Sequence, residues 1–511
     1  MRRFGRLIAA GVPVVAACVV LCVPAAHTDP GLPPGFQVES RTELAPGVEQ
    51  VRLTRTEPPL VVNVARVAPD APVTIRAVLS NEQVAGSAPL LERTSSMCAR
   101  VNCLVALNGD FAAVGSDQPI GGLVTGGLLL RTPSESHHQL SITGDGHFST
   151  GSFEWSGSLV PTDLRPLRLD GVNVARPDGK VILYTPDFGP TTEATGPGTS
   201  LVLRWVQRAG PLRMGQTAMV ELVSLAEETA PVPIPADGAV LSASGAAAGA
   251  LQDVWARVQQ GTADSWALLR LETPAGVTES LGGSPILLRE GRRWFADVDD
   301  NFTKGRHPRT LVGWNPAGEA LLVTVDGRQP EVSVGMTLAE AADLLLALGA
   351  TEGINLDGGG STTFVTSGAV TNQPSDVAVR GAGGPVIRHT AQAGDKILGH
   401  VERPVASALA VVPANEVPVP RADPLARPSL GLPQALALSA ASATDPGSVP
   451  DGSLPALVSE SPADLTDTLR VTAVAANVVV AVCLWVVSKR RREGQTGGAS
   501  RHVRKAPALA G

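Results

Sequence analysis

The sequence lacks several patterns that mark common protein classes. No dense basic block lies in the middle of its 511 residues and the net charge is −7, so nucleic acid is not an expected partner. It has no Gly-x-Ser-x-Gly elbow and no His-Glu-x-x-His motif. Its glycine-rich stretch 119–127 lacks the order of a dinucleotide site, and no Lys-Ser/Thr follows it. These absences argue against a nucleotide-binding protein, a serine hydrolase and a zinc protease.

Both ends of the chain carry apolar runs of the kind found in exported membrane proteins. Basic residues precede the run 7–23, and small residues follow it, so 1–25 is predicted to be an export signal. A lipoprotein signal at Cys18 is an open alternative. A second apolar run precedes four basic residues, which predicts a transmembrane helix at 470–488 and a basic cytoplasmic tail at 489–511. We expect a single-pass protein of the cell membrane, with its main domain outside.

Cysteine is scarce, and its distribution agrees with export. The chain has five cysteines, of which Cys18, Cys22 and Cys483 lie in the two terminal apolar runs. Cys98 and Cys103 are therefore the only pair in the predicted external part. Two nearby cysteines in an exported chain most simply form a disulfide. A metal site is the less favoured alternative, because no histidine lies close to them in sequence.

The order of apolar runs predicts an α+β fold with a mixed or antiparallel sheet and packed helices. Short alternating runs separated by Pro and Gly indicate strands, and Thr337 with Glu340 forms a capping box for a helix that ends at Gly349. This helix leads directly into a strand. The predicted segments are an N-terminal part of the main domain at 36–165, a β-rich insertion at 169–261, a C-terminal part with the main motifs at 266–395, and an Ala/Pro-rich spacer at 404–465.

Polar side chains collect where four predicted strands begin or end. The groups are Asn108, Gly109 and Asp110; Arg309 and Thr310; Asp326; and Asp357 followed by Gly358, Gly359, Gly360, Ser361 and Thr362. Carboxylates, an arginine and hydroxyls suit a sugar-phosphate substrate, because arginine matches phosphate oxygens and carboxylates can act at an anomeric carbon. Structural alternatives remain open for single positions, as a surface ion pair for the arginine and turn or cap residues for the acids.

The same motifs resemble those of the phosphodiester glycosidase family. The resemblance rests on the runs 307–313, 325–327 and 354–364, and on the earlier runs 108–111 and 282–285 in the same order. It implies hydrolysis of the bond between a sugar's anomeric carbon and a phosphodiester. The middle region resembles an insertion of bacterial members. Carried over by position, the resemblance implies that the site is lined by Asn108, Arg309, Thr310, Asp326, Asp357 and Gly358.

These observations predict specific roles within one site. We expect Asp357 to be the key carboxylate, Arg309 to clamp the phosphate, and Asp326 or Asp110 to supply a second carboxylate. The expected substrate-binding residues are Asn108, Gly109, Thr310, Gly358, Gly359, Ser361 and Thr362. Two carboxyl groups about 5–5.5 Å apart would favour retention at the sugar, and about 6.5–9.5 Å would favour inversion. A mechanism with a single carboxylate is an alternative, because phosphate is already a good leaving group.

The predicted protein is a membrane-anchored exoenzyme that cleaves sugar 1-phosphodiester bonds in envelope glycopolymers. No cofactor is required by this prediction, although a divalent cation bound by carboxylates and glycine carbonyls is a lesser possibility. The competing prediction is a non-catalytic envelope domain that binds or organises glycans. A protease or peptidoglycan amidase is a third possibility that no motif supports. The oligomeric state is not predicted.

Overall fold

The structure is a computed structural model. It describes residues 32–86, 90–134, 137–162, 164–193, 196–206, 213–273, 276–381, 384–392 and 394–414. The predicted export signal, transmembrane helix and basic tail lie outside these residues, as does the part of the predicted spacer beyond 414. Among the described residues, no helix is both long and apolar enough to cross a membrane.

Antiparallel sheets dominate the described residues, and helices are few. There are two eight-stranded sheets, two five-stranded sheets and one three-stranded sheet. The α-helices in the described ranges are Thr94–Arg100, Gly245–Gln259, Asn301–Lys304 and Leu338–Ala347, with short 3₁₀ turns at Ser80–Glu82 and Gly359–Ser361. The predicted α+β class is therefore only partly confirmed, because antiparallel sheets dominate the described residues and helices are few.

One eight-stranded sheet, which we call the site sheet, positions most of the predicted site residues. In spatial order its strands are Gln37–Ala45, Val48–Thr56, Pro59–Val67, Ala320–Val325, Arg309–Trp314, Glu352–Asn355, Ile286–Arg289 and Arg292–Arg293. Its neighbours pair antiparallel, so Arg309 lies opposite Val325 and Leu311 lies opposite Asn355. The beginning of one central strand therefore lies beside the ends of its two neighbours.

The helix Leu338–Ala347 covers this sheet and leads into the strand that precedes Asp357. Thr337 Oγ1 accepts the Glu340 N–H, and the Glu340 side chain accepts the Thr337 N–H, which confirms the predicted capping box. Gly349 follows the helix with φ of +99°, a conformation that glycine adopts readily. Buried leucines and alanines of the helix pack against Leu311 and Val323 of the sheet. This packing fixes the direction in which the next strand emerges.

The second eight-stranded sheet belongs to the middle of the chain and is β-rich, as expected for 169–261. In spatial order its strands are Leu167–Arg168, Ser156–Pro161, Trp266–Glu272, Thr217–Glu228, Gly198–Trp205, Gly238–Ala243, Val181–Tyr184 and Gly171–Val172. The pairing of the last two strands is parallel. The helix Gly245–Gln259 buries Leu251 and Val254 in the core of this sheet.

Three smaller sheets complete the described part. One consists of Leu128–Arg131, Leu123–Thr125, Val277–Gly283, His138–Thr143 and Phe148–Gly151, and another of Ala369–Val370, Phe364–Thr366, Val105–Asn108, Ser407–Pro413 and Val73–Leu79. The third consists of Gly384–Arg388, Val377–Gly381 and Ile397–His400. In the second of these sheets, the strand Val105–Asn108 delivers Asn108 to the site.

The strand Ser407–Pro413 lies within the range that the sequence assigns to a spacer, and here the structure differs from the prediction. This strand pairs with Val73–Leu79 on one side and with Val105–Asn108 on the other. All but the last of its residues are buried. Its Ala- and Val-rich composition resembles that of the low-complexity stretch that follows, so periodicity gave no signal. A strand buried on both faces reads as a continuous apolar run.

The predicted disulfide is present. Cys98 and Cys103 are bonded, with their Cα atoms 5.0 Å apart. Cys98 is in the helix Thr94–Arg100, and both cysteines are buried beside the strand Ser407–Pro413. The bond therefore closes the short loop that leads from this helix into the strand Val105–Asn108.

The corrected position of the strand Ser407–Pro413 gives a stability prediction. Val411 is fully buried, so Val411→Asp would place an unpaired charge in the core and should lower the free energy of unfolding by more than about 3 kcal/mol. The matched control is Val386→Asp, because Val386 is 50% exposed and should tolerate the same change within about 0.5 kcal/mol. Chemical denaturation of both variants measures the difference. Equal, small losses would show that 407–413 is not part of the folded core.

Candidate functional site

Strand ends from two sheets converge on one cleft of about 290 Å³. Arg309 begins a central strand of the site sheet, and Asp357 follows the neighbouring strand Glu352–Asn355. Asn108 ends the strand Val105–Asn108, which belongs to the five-stranded sheet that also contains Ser407–Pro413. The residues that line the cleft are Phe111, Asn301, Phe302, His307, Pro308, Arg309, Arg328, Asp357, Gly358, Gly359, Gly360 and Arg403.

The buried side chain of Asn108 links the two sheets beneath this cleft. Its Nδ2 donates to the backbone carbonyl of Asp357 at 2.6 Å. Its Oδ1 accepts the Thr310 hydroxyl at 2.7 Å and the Thr363 N–H at 3.1 Å. Thr310 Oγ1 also lies 3.4 Å from Thr362 Oγ1. Asn108, Thr310 and Thr362, which we expected to bind substrate, thus hold the chain on both sides of the glycine turn.

The three glycines after Asp357 leave room for neighbouring groups that side chains would displace. A Cβ on Gly358 would lie 2.7 Å from the Pro308 carbonyl oxygen, and one on Gly359 would lie 2.9 Å from Nη2 of Arg328. A Cβ on Gly360 would overlap the guanidinium of Arg403. Gly359 also has φ of +61°. The turn therefore brings two guanidinium groups into close contact with its backbone.

Gly109, which directly follows the strand Val105–Asn108, also leaves room for a neighbouring group. A Cβ there would lie 2.6 Å from Ser407 Oγ. Its carbonyl oxygen accepts the Asp357 N–H at 3.0 Å, and its own N–H donates to the Ser407 carbonyl at 2.8 Å. Gly109 therefore positions the backbone of Asp357, and we find it beneath the cleft rather than among the residues that line it.

Asp357 lines the cleft with a carboxylate whose charge is poorly stabilised. Burial raises the pKa of Asp357 to about 6, although hydrogen bonds from Ser361 and Gly358 and the charge of Arg403 oppose the rise. The nearby Asp110 carboxylate raises this pKa further. Oδ1 of Asp357 accepts the Gly358 N–H at 2.9 Å. At neutral pH the group is mostly ionised, and it gains a proton in mildly acidic solution.

Arg309 lines the cleft, but backbone carbonyls already bind its guanidinium. Its Nε donates to Met336 O at 2.9 Å, and its Nη2 donates to Phe302 O at 2.6 Å and to Gly305 O at 3.1 Å. Only 2% of the residue is exposed. Burial, and next the charge of Arg328, lower the pKa of Arg309 to about 10, so the guanidinium stays charged at neutral pH. Arg309 thus holds together the loops that frame the cleft.

Arg328 and Arg403 are two further cations of the cleft, and the sequence did not identify either of them. Within the described ranges, no hydrogen bond or ion pair fixes the Arg328 guanidinium, which packs over Gly359. Burial and the charge of Arg403 lower the pKa of Arg328, whereas Asp376 and Asp357 raise it. Arg403 forms a two-pronged ion pair with Asp376, with both distances 2.9 Å. A neutralised arginine and an unneutralised one therefore lie beside Asp357.

Asp110 is buried near Asp357, but its oxygens already have partners. Its Oδ2 accepts the Gly121 N–H at 2.6 Å, and its Oδ1 accepts the Phe111 N–H at 2.8 Å. Nε2 of His137 lies 3.1 Å from the same Oδ1. Asp110 is 2% exposed and is not among the cleft-lining residues. The carboxylate therefore acts on Asp357 through its charge and holds the segment around Gly121.

Asp326 lies apart from the residues that line the cleft. Its Oδ1 accepts from Asn372 Nδ2 at 2.9 Å, and its Oδ2 accepts the Gln373 N–H at 3.1 Å. Burial raises the pKa of Asp326 to about 6 against these hydrogen bonds. Because Asn372 also donates to the Thr362 carbonyl at 3.2 Å, Asp326 supports the end of the glycine turn. The structure does not bring it together with Asp357 as a catalytic pair.

Aromatic side chains form one wall of the cleft. Phe302 is 42% exposed, lies 6.3 Å from Phe111 between ring centroids, and lies 5.2 Å from the guanidinium carbon of Arg309. Asp300 caps the short helix that carries it, since its Oδ1 accepts the Thr303 N–H at 2.6 Å. Aromatic faces of this kind can contact the apolar face of a ligand. His307 is held beside them by its Nε2 contact of 2.8 Å with Asn301 O.

The described residues contain no cluster of three or more His, Cys, Asp or Glu side chains suited to a metal ion. Cations of the cleft are instead provided by the three arginines.

The residues that were not predicted differ in how visible they were. Arg328 directly follows the Asp326-Gly327 pair, and its φ of +60° belongs to the turn after the strand, so the run Asp-Gly-Arg was a usable signal. Arg403 and Asp376 are 27 residues apart, and no sequence spacing announces their pairing. Phe302 gave no motif.

Comparisons with known proteins show which family part of this chain is similar to. Residues 226–412 match the family model described as phosphodiester glycosidase, so the resemblance predicted from the sequence is confirmed. The chain is 44% identical over 68 residues to the N-acetylglucosamine-1-phosphodiester alpha-N-acetylglucosaminidase of Bos taurus, and 41% identical over 68 residues to that of Homo sapiens. Each alignment covers 13% of this chain, and 12% and 13% of the respective relatives.

A solved structure has a similar fold. The crystal structure of a hypothetical protein from Synechocystis matches with a TM-score of 0.53 at 18% identity. The match covers 73% of this chain and 63% of that chain. It shows that the sheet arrangement recurs in another protein.

The different surroundings of two arginines give a testable prediction. Arg309→Gln removes charged hydrogen bonds to three backbone carbonyls, of which the one to Met336 is buried, and should lower the free energy of unfolding by at least about 2 kcal/mol. Arg328→Gln is the matched control and should change it by less than about 0.5 kcal/mol, because no partner is lost. Urea denaturation of both variants provides the comparison. If Arg328→Gln lowered the free energy of unfolding as much as Arg309→Gln, Arg328 would have a structural role like that of Arg309, and the distinction between the two arginines would be wrong.

Proposed function

We propose that this chain, whose residues 226–412 match the family model described as phosphodiester glycosidase, hydrolyses sugar 1-phosphodiester bonds. The observation that carries the proposal is the cleft itself, where the Asp357 carboxylate lies among three arginines and an aromatic wall. Arginines can bind the oxygens of a phosphodiester, and a carboxylate can act at the anomeric carbon of its sugar. The two curated relatives are named as enzymes that act on an N-acetylglucosamine 1-phosphodiester, which supports this substrate class.

The phosphate is bound chiefly by Arg328 and Arg403 in this proposal. Arg328 has its hydrogen-bond donors available, since its guanidinium lacks a partner among the described residues. Asp376 holds the Arg403 guanidinium in place, so Arg403 loses little side-chain entropy when it binds phosphate. Arg309 contributes positive charge, but its Nε and Nη2 groups already donate hydrogen bonds to backbone carbonyls. The clamp that we expected at Arg309 therefore belongs mainly to Arg328.

Asp357 acts on the sugar in its ionised form. Its carboxylate either attacks the anomeric carbon or removes a proton from an attacking water molecule. The bond between the anomeric carbon and the bridging oxygen breaks, and the electron pair leaves with a phosphate monoester. The arginines stabilise this charge as it develops. If Asp357 has attacked the sugar, a water molecule then breaks the bond between Asp357 and the anomeric carbon. On either route the oxygen and one hydrogen of the water remain on the sugar as a hydroxyl, and the other proton passes to the phosphate monoester or the solvent.

A second carboxylate is not needed for this step. A phosphate monoester leaves readily without protonation, and the oxygens of both Asp110 and Asp326 already accept hydrogen bonds. Asp110 contributes by raising the pKa of Asp357 through its charge. The proposal therefore adopts the mechanism with a single carboxylate. Phe302 and Phe111 supply the surface against which the sugar or its leaving group packs.

We extend the proposal to the setting of the reaction. The disulfide between Cys98 and Cys103 favours an oxidising compartment, which agrees with an exported domain anchored in the membrane. An external, anchored enzyme of this class would act on glycopolymers of the cell envelope. The arginines supply the positive charge that a divalent cation could otherwise provide, so we propose that no cofactor is required. Activity should then survive treatment with a chelator.

Hydrolysis of a glycosyl nitrophenyl phosphodiester tests the proposed reaction. The full-length protein should release free sugar and nitrophenyl phosphate, and in water labelled with heavy oxygen the label should enter the sugar. Asp357→Asn should lower kcat at least about 100-fold, since it removes the reacting carboxylate. Label in the phosphate would instead indicate a phosphodiesterase.

The same assay separates the enzyme from a glycan-binding scaffold. Arg328→Gln should raise KM more than about tenfold, because a charged contact to phosphate is lost. Asp253→Asn, at an exposed position of the helix Gly245–Gln259, serves as the control and should change neither constant. Failure of every phosphodiester donor, together with retained binding of envelope glycan, would favour the scaffold.

The pKa of Asp357 predicts the acid limb of the reaction. Because burial raises this pKa to about 6 and the ionised form is the reactive one, kcat/KM should fall about tenfold for each pH unit below 6 and level off above it. Asp326 has a similarly raised pKa but lies away from the cleft. The limb should therefore persist in Asp326→Asn. Its disappearance in that variant would assign the titration to Asp326 instead.

A further inference from the structure

A second cavity, of about 510 Å³, lies at the other end of the hairpin that carries Arg309. Arg309 begins its strand, whereas Trp314 ends the same strand and lines the second cavity. Five steps along a strand correspond to about 17 Å. No lining residue is shared between this cavity and the cleft. A ligand in it would therefore be remote from Asp357.

Three turns and a buried floor form this cavity. The turns lie within 67–73, 142–148 and 314–320, and Thr278 and Glu279 lie below them. Both oxygens of Glu279 accept backbone N–H groups, from Ala77 at 2.9 Å and from Gly126 at 2.7 Å. The volume lies within the range of pockets that bind small molecules.

Phe148, supported from behind by Trp314, provides an aromatic surface in the cavity. Phe148 and Trp314 are stacked, with ring centroids 5.5 Å apart and an interplanar angle of 26°. Trp314 is only 7% exposed and is thus held in place, while Phe148 is partly exposed beside it. Rings fixed in this way offer contact area with little loss of side-chain entropy.

A carboxylate is fixed at the rim of the same cavity. Asp145 accepts a hydrogen bond from the Thr143 hydroxyl, and its Oδ2 lies 3.2 Å from Nδ1 of His147. The His147 N–H also donates to Thr143 Oγ1 at 3.2 Å. The Thr143 and His147 contacts hold the pKa of Asp145 below its usual range. Asp145 is therefore an oriented, ionised acceptor whose side chain is 71% exposed.

The charge of the cavity distinguishes its ligand from the phosphate of the cleft. Among the described residues, two acids and His147 but no lysine or arginine line the cavity, whereas three arginines line the cleft. An anionic ligand would be repelled by Asp145. A hydroxyl-rich neutral ligand would donate hydrogen bonds to this carboxylate and place its apolar face on the aromatic rings.

We propose that this cavity binds a neutral saccharide unit, at a site separate from the cleft. Binding itself does not depend on hydrolysis. Binding here would hold a polymer while one of its phosphodiester bonds enters the cleft. This advantage rests on the proposed function.

Binding of neutral tetrasaccharides of glucose, mannose and N-acetylglucosamine to the full-length protein tests this site. At least one should bind, as measured by calorimetry, and Asp145→Asn should weaken it at least about tenfold, since a charged hydrogen-bond acceptor is lost. Phe148→Leu should weaken it as well while keeping the position apolar. Asp237→Asn is the matched control, because the Asp237 side chain is 72% exposed and lies in neither cavity.

The outcomes separate this site from the proposed activity. Asp357→Asn should abolish hydrolysis and leave tetrasaccharide binding unchanged. Asp145→Asn should leave hydrolysis of a small nitrophenyl substrate unchanged. Lack of binding of all three tetrasaccharides would overturn the proposal, as would equal affinity in Asp145→Asn and the wild type. Loss of binding in Asp357→Asn would place the saccharide in the cleft instead.

Discussion

The three hydrogen bonds of the Asn108 amide are the interaction on which the site depends. They join a strand end of one sheet to Thr310 of another, and to the backbone on both sides of the glycine turn. The Thr363 N–H and the Thr310 hydroxyl that the amide binds are buried, and leaving a buried polar group without a hydrogen bond costs about 1–3 kcal/mol. Both the donor and the acceptor of the amide are needed, so aspartate and leucine cannot replace it. The position of the Asp357 carboxylate follows from this link.

The electrostatics of the cleft follow from unequal neutralisation of its charges. Asp376 neutralises Arg403, and backbone dipoles satisfy part of Arg309, while Arg328 keeps its full charge. Asp357 is destabilised by burial and by Asp110. The site thus combines a guanidinium that has no hydrogen bond or ion pair among the described residues with an acid that is easily protonated. Binding of an anionic ligand would satisfy the cation without displacing any existing ion pair.

Local patterns in the sequence predicted those features that depend on neighbouring residues. The capping box at Thr337, the disulfide of Cys98 and the convergence of Asn108, Arg309 and Asp357 all followed from short motifs. Pairings between distant segments, such as Arg403 with Asp376, have no local signal. The strand Ser407–Pro413 was missed because a strand buried on both faces does not alternate. An acid at a strand end has the same sequence pattern whether it faces a cleft or a loop, so the sequence could not show that Asp326 accepts hydrogen bonds from Asn372 and Gln373.

The glycine at position 360 has a consequence for how the cleft can change. The guanidinium of Arg403 occupies the space where any side chain would begin. Enlarging this residue would therefore displace a cation from the cleft rather than narrow its entrance. A larger residue at position 360 would change the charge of the cleft as well as its size, because it would displace Arg403. Related proteins should therefore vary the size of the cleft at the aromatic wall, where side chains can change while the arginines stay in place.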